Sequence, residues 1–164
     1  MTHSTQRYDF TDKDRAYTQL ALELAGLLAG ETDAIANAAN TSALLFAALP
    51  DVSWAGFYFL KGQELVVGPF QGKPACVRIA LGRGVCGIAA ERRETLVVAD
   101  VNAFPGHIAC DPASRSEIVV PLVTDAGLTG VLDIDSPSPG RFDESDRRGL
   151  ERLAAVFLNA SDVR

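Results

Sequence analysis

Three cysteines are the residues of this sequence best suited to redox chemistry. Cys110 lies in the segment "FPGHIACDPASRSEIVVPL" (104–122), which begins with turn-forming residues and carries carboxylates at Asp111 and Glu117. Residues of this kind form exposed loops, and a cysteine in such a loop is reactive when its thiol pKa is lowered. Cys110 is therefore the first candidate nucleophile.

The other two cysteines lie in more regular surroundings. The pattern around Cys76 predicts a strand, where an isolated cysteine favours a buried packing role. Cys86 follows the turn "GRG" (82–84) and begins a short predicted helix, whose N-terminal dipole would favour a thiolate. Residue types alone thus favour packing for Cys76 and make Cys86 a second candidate thiol.

A group of carboxylates follows from the hairpin expected near the end of the sheet. If residues 125–127 form a three-residue turn, Thr124 pairs with Leu128, and the same register places Glu117 opposite Asp135. Directly opposed residues lie on one side of a sheet, with Cβ atoms roughly 5 Å apart. A slip of one residue would turn Glu117 to the other face.

Asp133 joins this group because residues two apart in a strand share a face, and the register sets it opposite Val119. If the face is solvated, the three acids are harmless surface charges. If it is half buried, they can bind an ammonium group or hold one carboxyl protonated as a general acid. The apolar neighbours Val119 and Pro121 favour burial, and both interpretations stay open.

Metal binding is a competing use of the cysteines. His107 and Cys110, together with Cys76 and Cys86, offer four zinc ligands. Structural zinc sites usually take cysteines in closely spaced pairs, and the sequence contains no such pair. We therefore expect no metal, with a zinc-regulated redox sensor as an alternative. His107 fits a capping or packing role as well as a catalytic one.

Two aromatic residues on a predicted strand complete the candidate set. Trp54 and Tyr58 lie four positions apart and therefore point to the same face. Packing in the core explains such a pair, and the wall of a binding pocket explains it equally well.

Hydrophobic periodicity and turn signals predict the elements that position these residues. Helices are expected from a cap at Thr11 to about Ala29, from Thr32 to Pro50, over 82–93 and from a cap at Asp143, and strands over 54–60, 64–70, 75–81, 95–100, 117–124 and 127–136. The order ααβββαβββα predicts an α+β domain, with an antiparallel sheet and helices packed on one side. The intervening loop, 101–116, is long enough to be functional or disordered.

Length and composition indicate one domain over residues 1–164, with residues 1–10 expected to be flexible. The net charge of −6 argues against nucleic acid and against a membrane as partners. The N-terminus lacks the apolar core of a signal peptide, and the run "LALELAGLLAG" is too short to span a bilayer. We therefore expect a cytoplasmic protein, where thiols stay reduced.

Several segments together resemble the free methionine-(R)-sulfoxide reductases, a family of single GAF domains. They are "WAGFYFL", "GPFQGKPAC", "RGVCG", "DVNAFPGHIACD", "SRSEIVVPL" and "GVLDIDSP" with "RFDESD". The resemblance covers about residues 15–160 and includes the spacing of the three cysteines. It implies a GAF fold, a six-stranded antiparallel sheet flanked by helices, and a homodimer.

The resemblance also implies a reaction for the cysteines. Cys110 would attack free methionine (R)-sulfoxide and become a sulfenic acid. Cys76 would be the principal resolving cysteine and Cys86 a second one. Thioredoxin or another dithiol would reduce the resulting disulfide, without a bound cofactor, in the repair of oxidative damage.

Five further residues match the family's catalytic and substrate-binding positions, namely Glu117, Asp133, Asp135, Trp54 and Tyr58. We expect Glu117 to protonate the sulfoxide oxygen and the acids to pair with the substrate ammonium. The aromatic side chains would face its methyl group. Backbone N–H groups of the loop 113–118 would bind its carboxylate.

A GAF ligand-binding or redox-sensor module without catalysis is the alternative function. The segment "RFDE" (141–144) is similar to a short motif of cyclic-nucleotide GAF domains, although a helix cap at Asp143 explains it as well. Turnover of a sulfoxide separates the two functions.

Overall fold

The computed structural model describes residues 8–163 as four α-helices, one short 3-10 helix and six strands. The helices are α1 (Lys13–Leu27), α2 (Ala34–Ala48), α3 (Gly84–Arg92) and α4 (Glu144–Ala160), with the 3-10 helix at Val101–Ala103, and the strands are β1 (Trp54–Lys61), β2 (Glu64–Gly72), β3 (Arg78–Ala80), β4 (Leu96–Val98), β5 (Ser116–Thr124) and β6 (Gly127–Ser136). Of the segment 1–10 expected to be flexible, residues 1–7 lie outside the described residues. Tyr8 and Phe10 pack against the core near Tyr17.

The six strands form one antiparallel sheet in the order β3-β2-β1-β6-β5-β4. Helices α1, α2 and α4 pack on one face, and α3 packs on the other. The antiparallel α+β domain predicted from the sequence is confirmed, but the expectation that the helices share one side is wrong. Within residues 8–163, no helix combines the length and apolar character that a bilayer crossing requires.

Strand β1 explains why helices are needed on both sides. Ala55, Phe57 and Phe59 face the core under α1, α2 and α4, whereas Trp54 and Tyr58 face α3. A strand with one wet face alternates apolar and polar residues, and "WAGFYFL" does not alternate. The continuous apolar run therefore indicates two covered faces.

Strand β3 is shorter than its apolar pattern predicts. The sequence predicts a strand over 75–81, but the paired residues are only Arg78–Ala80. Pro74 precedes the segment and has no N–H to donate to a ladder, and the Cys76 carbonyl accepts from the Tyr58 hydroxyl instead of from a neighbouring strand. Cys76 consequently lies in irregular backbone before β3.

The three long helices each begin at an aspartate cap. Asp12, rather than the predicted Thr11, caps α1, and Asp33 caps α2. Asp143 caps α4 as predicted, and its partner Asp146 completes a reciprocal capping box. Each aspartate satisfies backbone N–H groups that the first helical turn leaves unpaired.

The register of β5 and β6 is the predicted one near the site, although the turn is not. Thr124 pairs with Gly127 rather than with Leu128, because the turn has two residues instead of three. An irregularity in the pairing just before the turn shifts the register by one residue, which compensates for the shorter turn and restores the predicted pairing farther along the strands. Glu117 therefore lies opposite Asp135, as predicted.

A buried carboxylate joins α4 to α1 and to the segment before α4. Asp146 is fully buried and accepts hydrogen bonds from the Tyr17 hydroxyl at 2.8 Å, Lys13 Nζ at 2.6 Å and Arg141 Nη1 at 3.1 Å. Since Asp143 of the "RFDE" segment caps the helix and Arg141 pairs with Asp146, structural roles account for these two residues of the segment.

Replacing Asp146 with Ala is expected to lower the free energy of unfolding by about 3–5 kcal/mol, because it leaves Arg141 and Lys13 without their buried partner. Urea denaturation measures the change. The matched control is Glu151→Ala, which breaks an exposed pair with Arg147 and should cost less than about 1 kcal/mol. Equal losses in the two variants would contradict the role assigned to Asp146.

Candidate active site

A cleft between the α3 face of the sheet and the loop after β4 gathers the residues singled out from the sequence. Its lining includes Trp54, Tyr58, Cys86, His107, Cys110, Glu117, Asp133 and Asp135. Cys76 adjoins it through a disulfide to Cys110. The structure therefore brings every candidate residue to one place.

Three carboxylates form a buried acidic cluster in this cleft. Glu117 of β5 is 6% exposed, Asp133 of β6 is 5% exposed, and Asp135 is partly buried. The interpretation as a solvated face is therefore wrong. Within residues 8–163, Oδ1 of Asp133 has no hydrogen-bond partner, so the cleft contains an unpaired buried acceptor.

Burial and mutual repulsion keep protons on the acidic cluster. Loss of hydration raises the pKa of Glu117 and of Asp135 well above the usual range, and the nearby Asp133 carboxylate raises both further. Burial also raises the pKa of Asp133 to about 7. The cluster therefore retains protons at neutral pH and can serve as a general acid.

Cys86 is buried at the start of α3 beside the acidic cluster. Its Sγ lies 3.8 Å from Oε1 of Glu117, to which it donates a hydrogen bond. Burial, and then the charges of Asp133, Glu117 and Asp135, raise the pKa of the Cys86 thiol. The expectation that the helix N-terminus favours a thiolate here is wrong, because desolvation and three carboxylates outweigh the partial charge of a helix end.

Cys76 and Cys110 form a disulfide, with Cα atoms 5.5 Å apart. Cys110 is exposed and Cys76 is partly exposed. The packing role that the sequence pattern favours for Cys76 is therefore wrong. A disulfide leaves neither sulfur free as a thiolate ligand, so the four zinc ligands considered from the sequence are not available together in this state.

Trp54 and Tyr58 hold the segment that carries Cys76. Nε1 of Trp54 donates to the carbonyl of Lys73 at 3.1 Å, and the Tyr58 hydroxyl donates to the carbonyl of Cys76 at 3.1 Å. Trp54 also stacks with Tyr58 and Phe70, with ring centroids 5.8 and 5.1 Å apart. The two residues thus form a pocket wall and fix the backbone beside a cysteine.

His107 faces the acidic cluster from the loop. Its Nε2 lies 3.9 Å from Oε2 of Glu117. Burial lowers the pKa of His107, so its imidazole is neutral at pH 7. A neutral histidine at this distance from a protonated carboxyl can carry a proton to or from it, so a chemical role and a packing role both fit its position.

The backbone N–H groups of the loop 113–118, expected to bind a carboxylate, are engaged at three positions. Those of Ala113 and Ser114 donate to Asp111 at 2.9 and 3.1 Å, and that of Arg115 donates to a β6 carbonyl at 2.8 Å. In the disulfide-linked state, these three donors are satisfied within the protein.

Two polar residues line the cleft without a role in the sequence analysis. The Lys73 ammonium lies 3.3 Å from Oδ2 of Asp111, and Ser114 is buried. Each stands three residues before a predicted site residue, Cys76 or Glu117. Their closeness in sequence to predicted site residues is the feature from which they could have been predicted.

Comparisons with known proteins show what the chain is similar to. The GAF domain family model matches residues 23–160. Protein YtsP of Bacillus subtilis is 57% identical over 91% of this chain and 93% of its own length, and the free methionine-R-sulfoxide reductase of Escherichia coli is 54% identical over 88% and 87%. The X-ray structure of free methionine-R-sulfoxide reductase from Neisseria meningitidis in complex with its substrate is 44% identical, with a TM-score of 0.90 over 97% of this chain and 95% of that chain.

The sheet, its helices on both faces and the matched family model define the protein as a GAF domain. Its identity to the named reductases over most of the chain places it in the family of free methionine-R-sulfoxide reductases. The family resemblance and the six-stranded GAF fold predicted from the sequence are thus confirmed.

The acidic cluster predicts how stability depends on pH. Because the folded-state pKa values of its carboxyls are raised, the folded protein binds more protons than the unfolded chain as pH rises from about 4 to about 7, and stability falls over that range. The variant Asp133→Asn has no carboxyl to ionise at this position, so it should lose that residue's share of the fall in stability. The stability of the variant minus that of wild type should therefore be larger at about pH 8 than at about pH 5, by on the order of 2 kcal/mol in the free energy of unfolding. One pKa unit is worth about 1.4 kcal/mol.

Urea denaturation of the disulfide-linked protein at both pH values measures this gain. Asp125→Asn is the matched control, since it makes the same change of charge at an exposed turn residue. A wild-type-to-Asp133→Asn difference that is the same at both pH values would show that the carboxyl carries no buried proton.

Proposed function

We propose that this protein reduces free L-methionine (R)-sulfoxide to L-methionine by thiol chemistry. The observation that carries the proposal is the pairing of Cys76 with Cys110 beside an acidic cluster that retains protons. Reduction of a sulfoxide by thiols needs a nucleophile with a partner thiol, and an acid for the departing oxygen. The similarity to proteins named for this activity supports the choice of substrate.

The cleft offers a partner for each part of a zwitterionic amino acid. Asp135 and the unpaired Oδ1 of Asp133 suit an ammonium group. Trp54 and Tyr58 suit the methyl group on sulfur. Lys73 is a cation at the cleft for the carboxylate, and the N–H groups of the loop before β5 offer further donors once reduction of the disulfide releases the loop.

The first chemical step uses Glu117 and Cys110. Protonated Glu117 donates its proton to the sulfoxide oxygen while the Cys110 thiolate attacks sulfur. The sulfur–oxygen bond breaks, methionine leaves as a thioether, and the hydroxyl group ends on Cys110 as a sulfenic acid. Glu117 then recovers a proton from solvent, and His107, 3.9 Å from it, can take up that proton as an imidazolium and pass it on.

The second step restores the thiols. The Cys76 thiol condenses with the sulfenic acid, water leaves, and the disulfide forms between residues whose Cα atoms are 5.5 Å apart. Thioredoxin or another dithiol then reduces this disulfide by thiol exchange, and no bound cofactor takes part. The exposure of Cys110 suits attack by a protein dithiol.

Cys86 has a secondary place in this scheme as the second resolving thiol. Its burial and raised thiol pKa make it a slow nucleophile, because the thiolate is the reactive form. It contributes chiefly when Cys76 is absent.

The proposed setting is the cytoplasm, where thioredoxin is kept reduced and oxidised methionine is repaired. The proposed form is a homodimer whose reaction uses no metal and which binds neither nucleic acid nor membrane. The net charge of −6 supports the last two points.

Free methionine (R)-sulfoxide should be the preferred substrate. A peptide-bound or N-acetylated sulfoxide lacks the ammonium group and leaves Asp133 and Asp135 unpaired, so its kcat/KM should be at least roughly 1,000-fold lower. The free (S) form directs its oxygen away from the acid and should react little. Chromatographic measurement of methionine formed from each compound, with dithiothreitol as reductant, tests this. Comparable rates on the acetylated compound would contradict the ammonium assignment, and no reduction of any sulfoxide would overturn the proposed function.

Single-turnover experiments should separate the three cysteines. Cys110→Ser should form no methionine, because no other thiol reaches the sulfoxide. Cys76→Ser should form one methionine per site in a burst and then slow by about tenfold or more, because the sulfenic acid has lost its partner. Cys86→Ser should turn over at close to the wild-type rate.

Quench-flow counting of methionine, with mass spectrometry of the trapped cysteines, measures these outcomes. A burst that survives in Cys110→Ser, or disappears in Cys76→Ser, would reverse the assigned roles.

A further inference from the structure

Cys86 is a buried thiol with little part in the proposed reaction, and it lies against the acidic cluster. Its Sγ, a carboxylate oxygen of Glu117 and a carboxylate oxygen of Asp133 all lie within 4.8 Å of one another. All three side chains are buried and line the cleft. The sulfur and the two carboxylates therefore surround a common point inside the protein.

Their spacing is close to that of ligands around a metal ion. With zinc–sulfur bonds of about 2.3 Å and zinc–oxygen bonds of about 2.0–2.2 Å, the donors of a tetrahedral site stand roughly 3.4–3.6 Å apart. The sulfur of Cys86 and Oε1 of Glu117 are 3.8 Å apart. Small side-chain rotations would bring the sulfur and the two carboxylate oxygens to the distances that such an ion requires.

A separate observation identifies an acceptor at this point that a cation could bind. Oδ1 of Asp133 has no hydrogen-bond partner within residues 8–163, although Asp133 is only 5% exposed. An unpaired buried carboxylate oxygen is unfavourable, and either a shared proton or a bound cation satisfies it. His107, with Nε2 3.9 Å from Glu117, stands at the edge of the set as a nitrogen donor.

We propose that the protein binds a thiophilic divalent cation, such as zinc or cadmium, through Cys86, Glu117 and Asp133, and that this cation competes with the substrate ammonium. Binding replaces the thiol proton of Cys86, and any proton held by Glu117 and Asp133, with bonds to the metal. These protons go to solvent, so no oxidation or reduction is involved. One thiolate with two carboxylates favours such ions over magnesium or calcium, which prefer oxygen donors alone.

The competition rests on the proposed function, since it assumes that the substrate ammonium occupies the acidic cluster. The cation site itself does not use Cys76 or Cys110. It is therefore available while those two cysteines are linked, and excess metal would inhibit the protein without touching its disulfide chemistry.

Cadmium titration of the disulfide-linked protein tests the site. In that state Cys86 is the sole free thiol among the three cysteines. We expect an ultraviolet sulfur-to-cadmium charge-transfer absorption that saturates at one ion per chain, with no response to magnesium. Disulfide-linked Cys86→Ser is the matched control. It should lack the absorption and bind cadmium at least about 100-fold more weakly by calorimetry.

Competition is measured in the same titration with free methionine. Methionine at about ten times its own Kd should weaken cadmium binding about tenfold relative to the same concentration of alanine. Alanine has the same chelating amino and carboxylate groups in solution, so the comparison removes chelation by the free amino acid.

The absence of charge-transfer absorption in the wild-type protein would overturn the cation site, as would an absorption unchanged in Asp133→Asn. If the absorption appears and methionine acts no differently from alanine, the competition is overturned. The proposed function is tested separately, because its failure would appear as no reduction of free (R)-sulfoxide by wild-type protein in metal-free buffer.

Discussion

Three carboxylates buried together on one face of the β5–β6 pair are the constraint on which the rest of the structure depends. Like charges repel strongly where water is excluded, so this face is stable only when it holds protons or a cationic partner. The proposed acid for a sulfoxide oxygen, the proposed fit to an ammonium group and the raised pKa of the Cys86 thiol all follow from that placement. Packing elsewhere in the domain must offset its energetic penalty.

The sheet separates this unfavourable face from the face that stabilises the domain. Under α1, α2 and α4, apolar side chains join the helices to the strands, and the fully buried Asp146 joins α4 to α1. On the other side, α3 and the loop cover the acids and leave a cleft. Strand β1 serves both, since Phe57 packs on the first face while Trp54 positions the chain beside Cys76 on the second.

Local rules predicted the carboxylates better than the cysteines. The period of two along a strand and the short connection from β5 to β6 set Glu117 opposite Asp135, and the two-residue turn was compensated by a pairing irregularity. The depth of burial could not be predicted in this way, because it depends on α3 and the loop covering the acids from distant parts of the chain. Contacts from distant parts of the chain also explain two wrong predictions. The strand pattern did not predict that Cys76 is bonded to Cys110, and the helix-end argument did not include the β5 and β6 carboxylates that raise the pKa of Cys86. Family resemblance supplied the roles proposed for these residues, which local patterns did not contain.

The disulfide joins residues 34 positions apart and encloses β3, α3 and β4. A covalent link of that span restricts the unfolded chain and in the chain-entropy view is worth about 4 kcal/mol. In the proposed catalytic cycle this link opens and closes once per turnover, so the protein would alternate between a cross-linked and an open chain. Under that proposal, its resistance to unfolding would be a property of its redox state, greatest when the substrate has just been consumed and least when the thiols are ready for the next one.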